Sequence, residues 1–545
     1  MLGLMMDRQL TLATLARHAE RNHARREVVS VTADHDRHRY TFAEALSRAR
    51  RLSNVLTRLG AADDARIATM AWNDFRHLEL YFGVSCSGRV LHTINPRLFA
   101  EQLSYIVNHA DDEWIFFDIA FTAILEKIAP LCPRVKGYVA MTSQAHMPAH
   151  CTLPNLHCYE TLLAHESDQC EWPEFDERRA SSLCYTSGTT GHPKGVLYSH
   201  RSTVLHSYAL ALPDSANLSA LDGILPVVPM FHVNAWGYPY AGMMVGAKLV
   251  FPGHRLSSPE LLVDLISEEG VTIAGGVPTV WLPLLDYLRS SGRSIAPLNR
   301  TVIGGSACPL AMIEEFRDKH GVAVLHGWGM TEMSPVGVVN SPTSANICLT
   351  GEALAAQVVK QGRALPGVEL KITDDDNREL PWDGESFGAL KVRGPWICSE
   401  YYRLDGVSQA HGADGWFDTG DVATIDADGY VKITDRAKDV IKSGGEWISS
   451  LDLENVAMSH PAVRECAVVG MGHGKWQERP LLVVVAAQAI DKAELLNWFE
   501  GKVAKWWIPN DVLEVESLPH TATGKISKLE LRRQLSAYRF PDDQA

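Results

Sequence analysis

One stretch of the sequence decides how the rest is interpreted: Tyr185-Thr186-Ser187-Gly188-Thr189-Thr190-Gly191-His192-Pro193-Lys194-Gly195. It contains three glycines, four hydroxyl side chains between Thr186 and Thr190, and the lysine Lys194. Glycine lets backbone N–H groups converge on a phosphate, while hydroxyls and a lysine add donors and positive charge. The stretch therefore predicts a loop that binds a polyphosphate, with a plain Gly/Ser/Thr hairpin turn as the alternative.

Two short apolar segments flank this loop and are predicted to be strands, Ser181–Cys184 before it and Val196–Tyr198 after it. The loop is not the GxxxxGK[ST] motif, because Gly195 follows Lys194 where that motif requires Ser or Thr. The glycines, hydroxyls and lysine thus predict a phosphate-binding loop that differs from the GxxxxGK[ST] motif.

The chain on both sides of the loop alternates between predicted strands and helices. Thr41 and Glu44 have capping-box spacing, and apolar residues follow at helical spacing until Gly60. Asn95-Pro96 is predicted to open another helix. The predicted strands of this part are Val28–Val31, Ile67–Trp72, Val90–Ile94, Trp114–Phe117, Val271–Val277, Thr301–Ile303 and Val322–Leu325, and a further helix is predicted over Leu78–Ser87. Repeated β-α-β units indicate doubly wound parallel sheets.

From about residue 362 the pattern changes to shorter strands and turns, which predicts a β-rich subdomain over about 362–434. An α+β tail follows, with a helix over Leu451–Ser459, strands over Val463–Val469 and Leu481–Ala487, a helix over Lys492–Trp506 and Ser527 as the cap of a last helix. The predicted fold class is therefore α/β, with a large N-terminal domain and a small C-terminal α+β domain.

Composition excludes several classes of protein. The formal net charge of −14 argues against nucleic acid or an anionic membrane as the main partner. Ten scattered cysteines without a CxxC pair indicate reduced thiols in a cytoplasm rather than disulfides or a zinc site. Ile224–Ala247 carries no full charge, but Pro226, Pro229 and Pro239 would break a helix, so it is predicted to be a buried wall and not a membrane span.

Further motifs occur along the chain in an order that resembles the adenylate-forming enzymes: acyl-CoA synthetases, luciferase and the adenylation domains of peptide synthetases. They are the loop at 185–195, Gly304-Gly305-Ser306, Gly327-Trp328-Gly329-Met330-Thr331-Glu332, Thr419-Gly420-Asp421, Asp435-Arg436-Ala437-Lys438-Asp439, Lys442-Ser443-Gly444-Gly445-Glu446-Trp447-Ile448 and Thr523-Gly524-Lys525-Ile526. The opening residues, Pro229–Trp236 and Gly444–Ser449 are most similar to medium-chain fatty acid–CoA ligases, a branch that includes 3-methylmercaptopropionate–CoA ligases.

The resemblance implies a two-step ligase reaction that consumes a carboxylic acid, ATP and CoA. The carboxylate attacks the α-phosphate of ATP to give an acyl adenylate and pyrophosphate, and the CoA thiol then releases AMP and the thioester. Because two anions meet in the first step, positioning and charge neutralisation are what the protein must supply. The implied substrate is a medium-chain fatty acid or a similar aliphatic carboxylate, with 3-methylmercaptopropionate and long-chain fatty acids as alternatives.

The resemblance also implies roles for individual residues. Lys525 corresponds to the mobile catalytic lysine, although a surface lysine in a Thr-Gly-Lys turn is the plain alternative. Thr186 and Glu332 are placed with Mg²⁺, while His232 and Trp236 are placed as a gate between the acyl pocket and the nucleotide. Expected at ATP or AMP are Ser187, Gly188, Thr189, Thr190, Gly191, Lys194, Val233, Gly305, His326, Gly327, Trp328, Thr331, Asp421, Arg436, Lys438 and Lys442. Expected at CoA are Gly444, Gly445, Glu446 and Trp447.

The expected domain organisation follows the motifs, with an N-terminal domain over 1–434, a hinge over 435–439 and a mobile C-terminal domain over 440–545. The family's habit implies a homodimer. Two other functions stay open: an adenylation enzyme that loads a separate carrier protein, and a nucleotide-binding regulatory protein without turnover. The set of Glu332, Asp421 and Lys525 weighs against the regulatory protein.

Overall fold

A computed structural model describes residues 1, 3–186, 192–404, 406, 408, 410–443, 446–521 and 525–541, with the backbone alone for Glu446 and Trp447. Helices α1 to α15 span Leu12–His23, Phe42–Arg58, Phe75–Cys86, Ala100–Ala110, Thr122–Ile128, Tyr159–Ala164, His200–Ala211, Tyr238–Val245, Pro259–Glu268, Pro278–Ser291, Leu310–His320, Gly351–Val358, Ser450–Met458, Lys492–Asn497 and Lys528–Gln534. Strands β1 to β25 span Glu27–Ser30, His38–Thr41, Arg66–Met70, Val90–Thr93, Asp112–Phe117, Gly137–Ala140, Leu156–Cys158, Ala180–Tyr185, Gly195–Ser199, Gly223–Pro226, Lys248–Phe251, Ile273–Gly276, Arg300–Ile303, Ala323–Gly329, Val336–Val339, Arg363–Ala364, Glu369–Thr373, Phe387–Arg393, Phe417–Ile425, Val431–Arg436, Ile441–Ser443, Glu446–Ile448, Val463–His473, Gln477–Ala486 and Asp511–Glu514.

One sheet has seven strands and includes the two strands that flank the predicted phosphate loop. Its order is β7-β6-β5-β3-β4-β8-β9, and every pair is parallel except β8 with β9. The two antiparallel strands β8 and β9 bracket the predicted phosphate loop, with Tyr185 opposite Gly195. The two flanking strands predicted from the sequence are therefore confirmed.

A nine-stranded sheet packs beside it in the order β16-β15-β14-β13-β12-β10-β11-β1-β2. Its six central strands, from β14 to β1, pair in parallel, and antiparallel strands close both edges. Helices cover the faces of both sheets, and the largest buried apolar cluster joins α1, α2 and α3 to the strands of both. The predicted α/β class with parallel sheets is confirmed.

One helix start agrees with the local sequence signal that predicts it, and another does not. Thr41 and Glu44 form the predicted capping box at the start of α2. The helix predicted from Asn95-Pro96 is wrong at its start, since α4 begins only at Ala100. Asn95 instead makes a turn: its side-chain oxygen accepts from the N–H of Arg97 at 3.0 Å, an arrangement that competes with helix.

The uncharged stretch predicted as a buried wall forms β10, a short turn over Val233–Gly237 and α8. Pro239 does not break a helix here, because it lies in the first turn of α8, where its missing N–H has no intrahelical partner to lose. No helix among the described residues is both long enough and apolar enough to cross a membrane.

Two smaller sheets complete the fold. Strands β17, β18, β19 and β20 form an antiparallel sheet in that order, as the β-rich pattern predicts. The second small sheet pairs β22-β21-β24-β23, with β25 parallel to β24. The helix predicted over Lys492–Trp506 is too long: α14 ends at Asn497, and Gly501 beyond it adopts a left-handed φ of 74°, which a continuous helix excludes.

Candidate active site

The site lies where two neighbouring strands of the nine-stranded sheet end. β13 runs into Gly304-Gly305-Ser306, and β14 carries His326, Gly327 and Trp328 within the strand, whereas the sequence placed these residues in a loop after it. Gly304 has to be glycine, because a Cβ there would lie 2.8 Å from the Gly327 carbonyl oxygen and 3.5 Å from the Trp236 ring. Two of the predicted motifs and the predicted gate residue Trp236 thus meet at the carboxyl end of a parallel sheet, where ligands bind in this kind of fold.

Glu332 is buried in a single turn of 3-10 helix over Thr331–Met333, directly after β14. The Tyr401 hydroxyl donates a hydrogen bond of 2.7 Å to its Oε1. Burial raises the pKa of Glu332, while Tyr401, Arg436 and Lys194 act in the opposite direction. Glu332 therefore presents a buried carboxylate, oriented by the Tyr401 hydroxyl, whose oxygens are suitable ligands for a cation.

The two ends of the phosphate loop are held together by backbone contacts. The N–H of Thr186 donates to the Lys194 carbonyl at 2.9 Å, and the N–H of Lys194 donates to Thr186 Oγ1 at 3.2 Å. The Lys194 ammonium lies 4.7 Å from the centre of the Tyr401 ring. Thr186, Lys194 and Glu332 are therefore neighbours, as predicted for a phosphate and Mg²⁺ site, while Ser187, Gly188, Thr189, Thr190 and Gly191 lie outside the described residues.

Asp421 forms a second buried carboxylate site, on β19. Its Oδ1 lies 2.8 Å from Nε of Arg436, and its Oδ2 accepts from the indole N–H of Trp328 at 2.9 Å. Burial raises the pKa of Asp421, and Arg436 and Trp328 oppose that rise. The structure thus brings together Trp328, Asp421 and Arg436, three of the residues expected at ATP or AMP.

Lys525 reaches this cluster from the C-terminal end of the chain. A Cβ built on Gly305 would lie 3.5 Å from its Cε. Burial and Arg436 lower the pKa of Lys525 to about 8, while Asp421 and Glu332 act to raise it. Among the described residues no carboxylate lies within ion-pair distance of its ammonium, so its charge is available to a ligand.

An apolar cavity of about 110 Å³ opens beside Lys525. Its wall contains both predicted gate residues, His232 and Trp236. Burial, and to a lesser degree Lys525, lowers the pKa of His232 to about 3, so this imidazole is neutral. The remaining lining residues are Arg97, Val227, Val228, Pro229, Phe231, Leu256, Ser257, Val277, Thr279, Val280 and Gly305.

An unusual backbone turn follows the gate residue His232 and includes the gate residue Trp236. Val233, Asn234, Ala235 and Trp236 all adopt left-handed φ angles between 42° and 58°, a conformation that costs about 1–2 kcal/mol for each non-glycine residue. Asn234 holds the turn against β8, because its side-chain amide donates to Ser182 Oγ at 3.0 Å. The strand that leads into the phosphate loop therefore also supports the wall of the cavity.

Both ring nitrogens of His326 have hydrogen-bond partners within the fold. Its Nδ1 lies 3.0 Å from the Val359 carbonyl oxygen, and its Nε2 accepts from the N–H of Cys308 at 3.3 Å. Burial lowers the pKa of His326 to about 4, which fits a neutral ring that donates at Nδ1. The ring therefore positions the loop after Gly305, and any contact of His326 with a nucleotide stays a prediction.

The residues predicted for the hinge and for CoA lie in and after the turn that follows β20. Lys438 is exposed in that turn, and Lys442 is exposed in β21, where it pairs in register with Trp447 of β22. Gly444 and Gly445 lie outside the described residues, as do the side chains of Glu446 and Trp447. Their assignment to CoA remains a prediction.

Tyr401, which contacts both Glu332 and Lys194, was not among the residues predicted for the site. It lies 69 residues beyond Glu332, in a segment without glycines or charges at a telling spacing, so no local signal pointed to it. Three other residues of the cavity wall, Leu256, Val277 and Val280, were not expected there either, since they carry no pattern other than burial.

Comparison with known proteins agrees with this geometry. Residues 15–402 match the model of the AMP-binding enzyme family, and residues 452–525 match that of the AMP-binding enzyme C-terminal domain. The chain is 50% identical over 536 residues to a medium-chain-fatty-acid–CoA ligase of Ectopseudomonas oleovorans, covering 98% of this chain and 97% of the relative. It is 52% identical over 536 residues to a 3-methylmercaptopropionyl-CoA ligase of Ruegeria pomeroyi, covering 98% and 99%.

Solved structures show the same architecture. The ATP-bound MatB of Rhodopseudomonas palustris superposes with a TM-score of 0.81 at 25% identity, covering 98% of this chain and all of that one. An anthranilate CoA ligase in complex with anthranoyl-AMP gives a TM-score of 0.85 at 24% identity, covering 96% and 98%, which supports the fold alone. Since one family model covers well over half of its residues, the chain belongs to the AMP-binding enzyme family of AMP-forming acid–thiol ligases.

Proposed function

We propose that this protein converts a medium-chain fatty acid, or a similar aliphatic carboxylate, to its CoA thioester through an acyl adenylate. The observation that carries the proposal is the position of Lys525, at the junction of the apolar cavity with the buried carboxylates Glu332 and Asp421. A lysine without a carboxylate partner among the described residues suits a site where two anionic substrates meet.

In the first half-reaction, an oxygen of the substrate carboxylate forms a bond to the α-phosphorus of ATP, and the bond to the pyrophosphate leaving group breaks. Lys525 would offset the charge of the carboxylate and of the α-phosphate oxygens as they approach. Lys194 and the rest of the loop would hold the outgoing phosphates. Asp421 would accept hydrogen bonds from the ribose, in place of the bonds that Trp328 and Arg436 now donate to it.

Mg²⁺ is proposed as the metal, bound together with ATP. The described residues contain no cluster of three His, Cys, Asp or Glu side chains that could hold a metal ion alone. Glu332 and the Thr186 hydroxyl would supply two hard oxygen ligands, and Mg²⁺ usually takes its remaining ligands from phosphates and water. Its chemistry there is to neutralise phosphate charge. Glu332→Gln should accordingly weaken Mg²⁺-dependent binding of ATP, while nucleotide binding measured without metal stays close to wild type.

The second half-reaction requires the CoA thiol to reach the adenylate carbonyl. We propose that the C-terminal domain, residues 440–545, then turns about the hinge at 435–439 so that Gly444, Gly445, Glu446 and Trp447 face the site. The short turn between β20 and β21 suits a hinge, because β20 ends at Arg436 and β21 begins only at Ile441. Such hinges absorb large changes of φ and ψ at a few residues.

The size of the cavity bears on the choice of acid. A cavity of about 150 Å³ holds benzene, so the 110 Å³ here would hold roughly four to five non-hydrogen atoms beyond the carboxyl group. The four such atoms of 3-methylmercaptopropionate fit without change, and that acid is the second candidate. A longer chain would require the gate residues, His232 and Trp236, to move.

The test is pyrophosphate release measured with and without CoA, followed by kcat/KM across straight-chain acids from propionate to decanoate, with methylthiopropionate and benzoate included. Preference should climb about fourfold per added methylene until the cavity ends, because each buried CH₂ is worth about 0.8 kcal/mol. Val280→Ala should move the optimum to a longer acid, and Val263→Ala, a buried residue outside the cavity lining, is the matched control.

The same assay separates the alternatives. A carrier-loading enzyme would release pyrophosphate with its acid but form no CoA thioester. A regulatory protein would bind ATP and release none with any acid.

Cytoplasmic action and a homodimer complete the proposal. All ten cysteines are free, which suits a reducing compartment. Light scattering on the purified protein would test the dimer, and a mass of 60 kDa would contradict it.

A further inference from the structure

Tyr401 occupies the space between the two charged groups on which ATP binding is expected to depend. Its side chain is 7% exposed. The hydroxyl donates to Oε1 of Glu332 at 2.7 Å, and the face of the ring lies 4.7 Å from Nζ of Lys194. One side chain therefore contacts a proposed metal ligand and the lysine of the phosphate loop.

The backbone on either side of Tyr401 is tied to the same two segments. The N–H of Cys398 donates to the carbonyl of Glu332 at 2.8 Å, and the N–H of Tyr402 donates to the carbonyl of Gly195 at 2.8 Å. These bonds leave the 398–402 segment little freedom to shift relative to Glu332 or to the end of the phosphate loop. The backbone of Glu332 and the end of the phosphate loop therefore fix the position of the segment that carries the Tyr401 ring.

Some buried tyrosines of this chain donate to a carboxylate, as Tyr401 does and as Tyr159 does to Oε2 of Glu79 at 2.7 Å, and others donate to a backbone carbonyl. Tyr198 and Tyr430 donate their hydroxyls to backbone carbonyls, those of Thr331 and Ser341. Tyr401 donates instead to a carboxylate, where one donor fixes the rotation of the group and leaves acceptor sites for a cation. An aromatic face holds an ammonium without neutralising it, so the N–H donors of Lys194 stay available for phosphate.

We propose that Tyr401 is a positioning residue, which orients Glu332 toward Mg²⁺ and holds Lys194 over the phosphates of ATP. The inference rests on the proposed function, because it presumes that Glu332 meets a metal–nucleotide complex. It assigns separate tasks to two parts of one side chain: the hydroxyl acts on the metal ligand, and the ring acts on the lysine.

Two substitutions separate these tasks. Tyr401→Phe removes the hydroxyl and keeps the ring, whereas Tyr401→Leu removes both. Tyr430→Phe is the matched control, because Tyr430 is also buried, also donates its hydroxyl, and also lies under a lysine, Lys360, 5.8 Å from its ring centre. It has no contact with Glu332 or Lys194 among the described residues.

The first readout is Mn²⁺ affinity, measured by electron paramagnetic resonance on the full chain with α,β-methylene-ATP, which cannot be adenylated. Loss of a group that orients a metal ligand costs about 10–100-fold in affinity, so Tyr401→Phe should weaken Mn²⁺ binding at least tenfold. The second readout is calorimetric affinity for the same analogue without metal. There Tyr401→Phe should match wild type, while Tyr401→Leu should lose about two- to fivefold.

Equal Mn²⁺ affinity in wild type and Tyr401→Phe would overturn the inference, as would equal losses in Tyr401→Phe and Tyr430→Phe. Thermal unfolding checks that the variants are folded, and the nearly isosteric Phe variant keeps the test valid where the Leu variant fails to fold. A wild-type protein that releases no pyrophosphate with any acid would contradict the proposed function instead, and the two failures are therefore distinct.

Discussion

Two lysines three residues apart near the C-terminal end of the chain lie in environments that shift their pKa values in opposite directions. Lys528, the first residue of α15, makes an ion pair of 2.7 Å with Glu454, and its side chain is 11% exposed. Glu454, Asp435 and Asp439 raise the pKa of Lys528 against the effect of burial. Lys525 has no such partner among the described residues, and burial together with Arg436 lowers its pKa to about 8.

The difference distinguishes a cation that stabilises the fold from one that, under the proposed function, binds an anionic substrate. The Lys528 ammonium neutralises the largely buried carboxylate of Glu454 within the fold. No described carboxylate lies within ion-pair distance of the Lys525 ammonium, although Asp421 and Glu332 act to raise its pKa, and this environment fits the proposed role beside an anionic substrate.

The largest effect is expected for Lys525→Met. Removing a preorganised charge from the reacting centre should slow adenylate formation about 10³-fold or more, a loss of roughly 4 kcal/mol of transition-state stabilisation. Thioester formation from supplied acyl adenylate and CoA should stay near wild type, and the melting temperature should not fall. Pyrophosphate release and single-turnover thioester assays give the comparison. Equal losses in both halves would contradict the assigned role.

Lys528→Met should show the opposite pattern. Removing one partner of a buried ion pair leaves Glu454 uncompensated and costs about 3–5 kcal/mol of unfolding free energy. Denaturant unfolding measures the loss, and adenylation per folded molecule should change less than tenfold. The double variant Lys528→Met with Glu454→Leu should recover much of the stability. A stable Lys528→Met protein would remove the contrast between the two lysines.

Lys438→Pro tests whether Lys525 serves only one orientation of the C-terminal domain. Proline fixes φ near −65° and removes an N–H, so it should restrict rotation at the proposed hinge. Thioester formation from supplied adenylate should fall about 100-fold, and adenylation should fall much less. Lys438→Ala keeps the backbone free and should be milder in the thioester step. A folded proline variant with normal thioester formation would place the hinge elsewhere.

The two lysines also show where sequence reasoning stops. Thr523-Gly524-Lys525-Ile526-Ser527-Lys528 offers two lysines, and spacing alone does not tell which one faces a substrate. Only the resemblance selected Lys525, because the environment of each lysine depends on Glu332, Asp421 and Glu454, which lie 71 residues or more away along the chain.

What could be predicted was local or repetitive. The strands that flank the phosphate loop, the capping box of α2 and the cap of α15 by Ser527 follow from patterns of a few residues, and all three are present. The contact of Tyr401 with Glu332 and the left-handed turn before Trp236 depend on tertiary packing, for which neither propensity nor periodicity carries a signal. The start of α4 was missed because an asparagine side chain replaced the expected helical turn.

The smallest predicted effect is a pH dependence, and it probes the contrast without a mutation. If Lys525 must be protonated during adenylation, kcat/KM for ATP should be level below its pKa of about 8 and fall tenfold per pH unit above it. The sign follows from the charge, because raising the pH removes the cation that the reaction needs. Deprotonation of Lys528 does not contribute to the pH profile near pH 8, since its pKa is raised from the ordinary value for lysine.

The pH above which kcat falls should be higher than the pH above which kcat/KM falls, because bound ATP places negative charge beside Lys525 and favours its protonated form. Lys525→Arg keeps its charge throughout this range, so any adenylation it retains should be level across pH 7–9.5, which provides the matched control. The first half-reaction is the one to follow, by pyrophosphate release without CoA, since the CoA thiol itself ionises in the same range. A wild-type profile that is level from pH 7 to 9.5 would show that the Lys525 cation is not lost near pH 8, and the unpartnered environment that distinguishes it from Lys528 would then need another explanation.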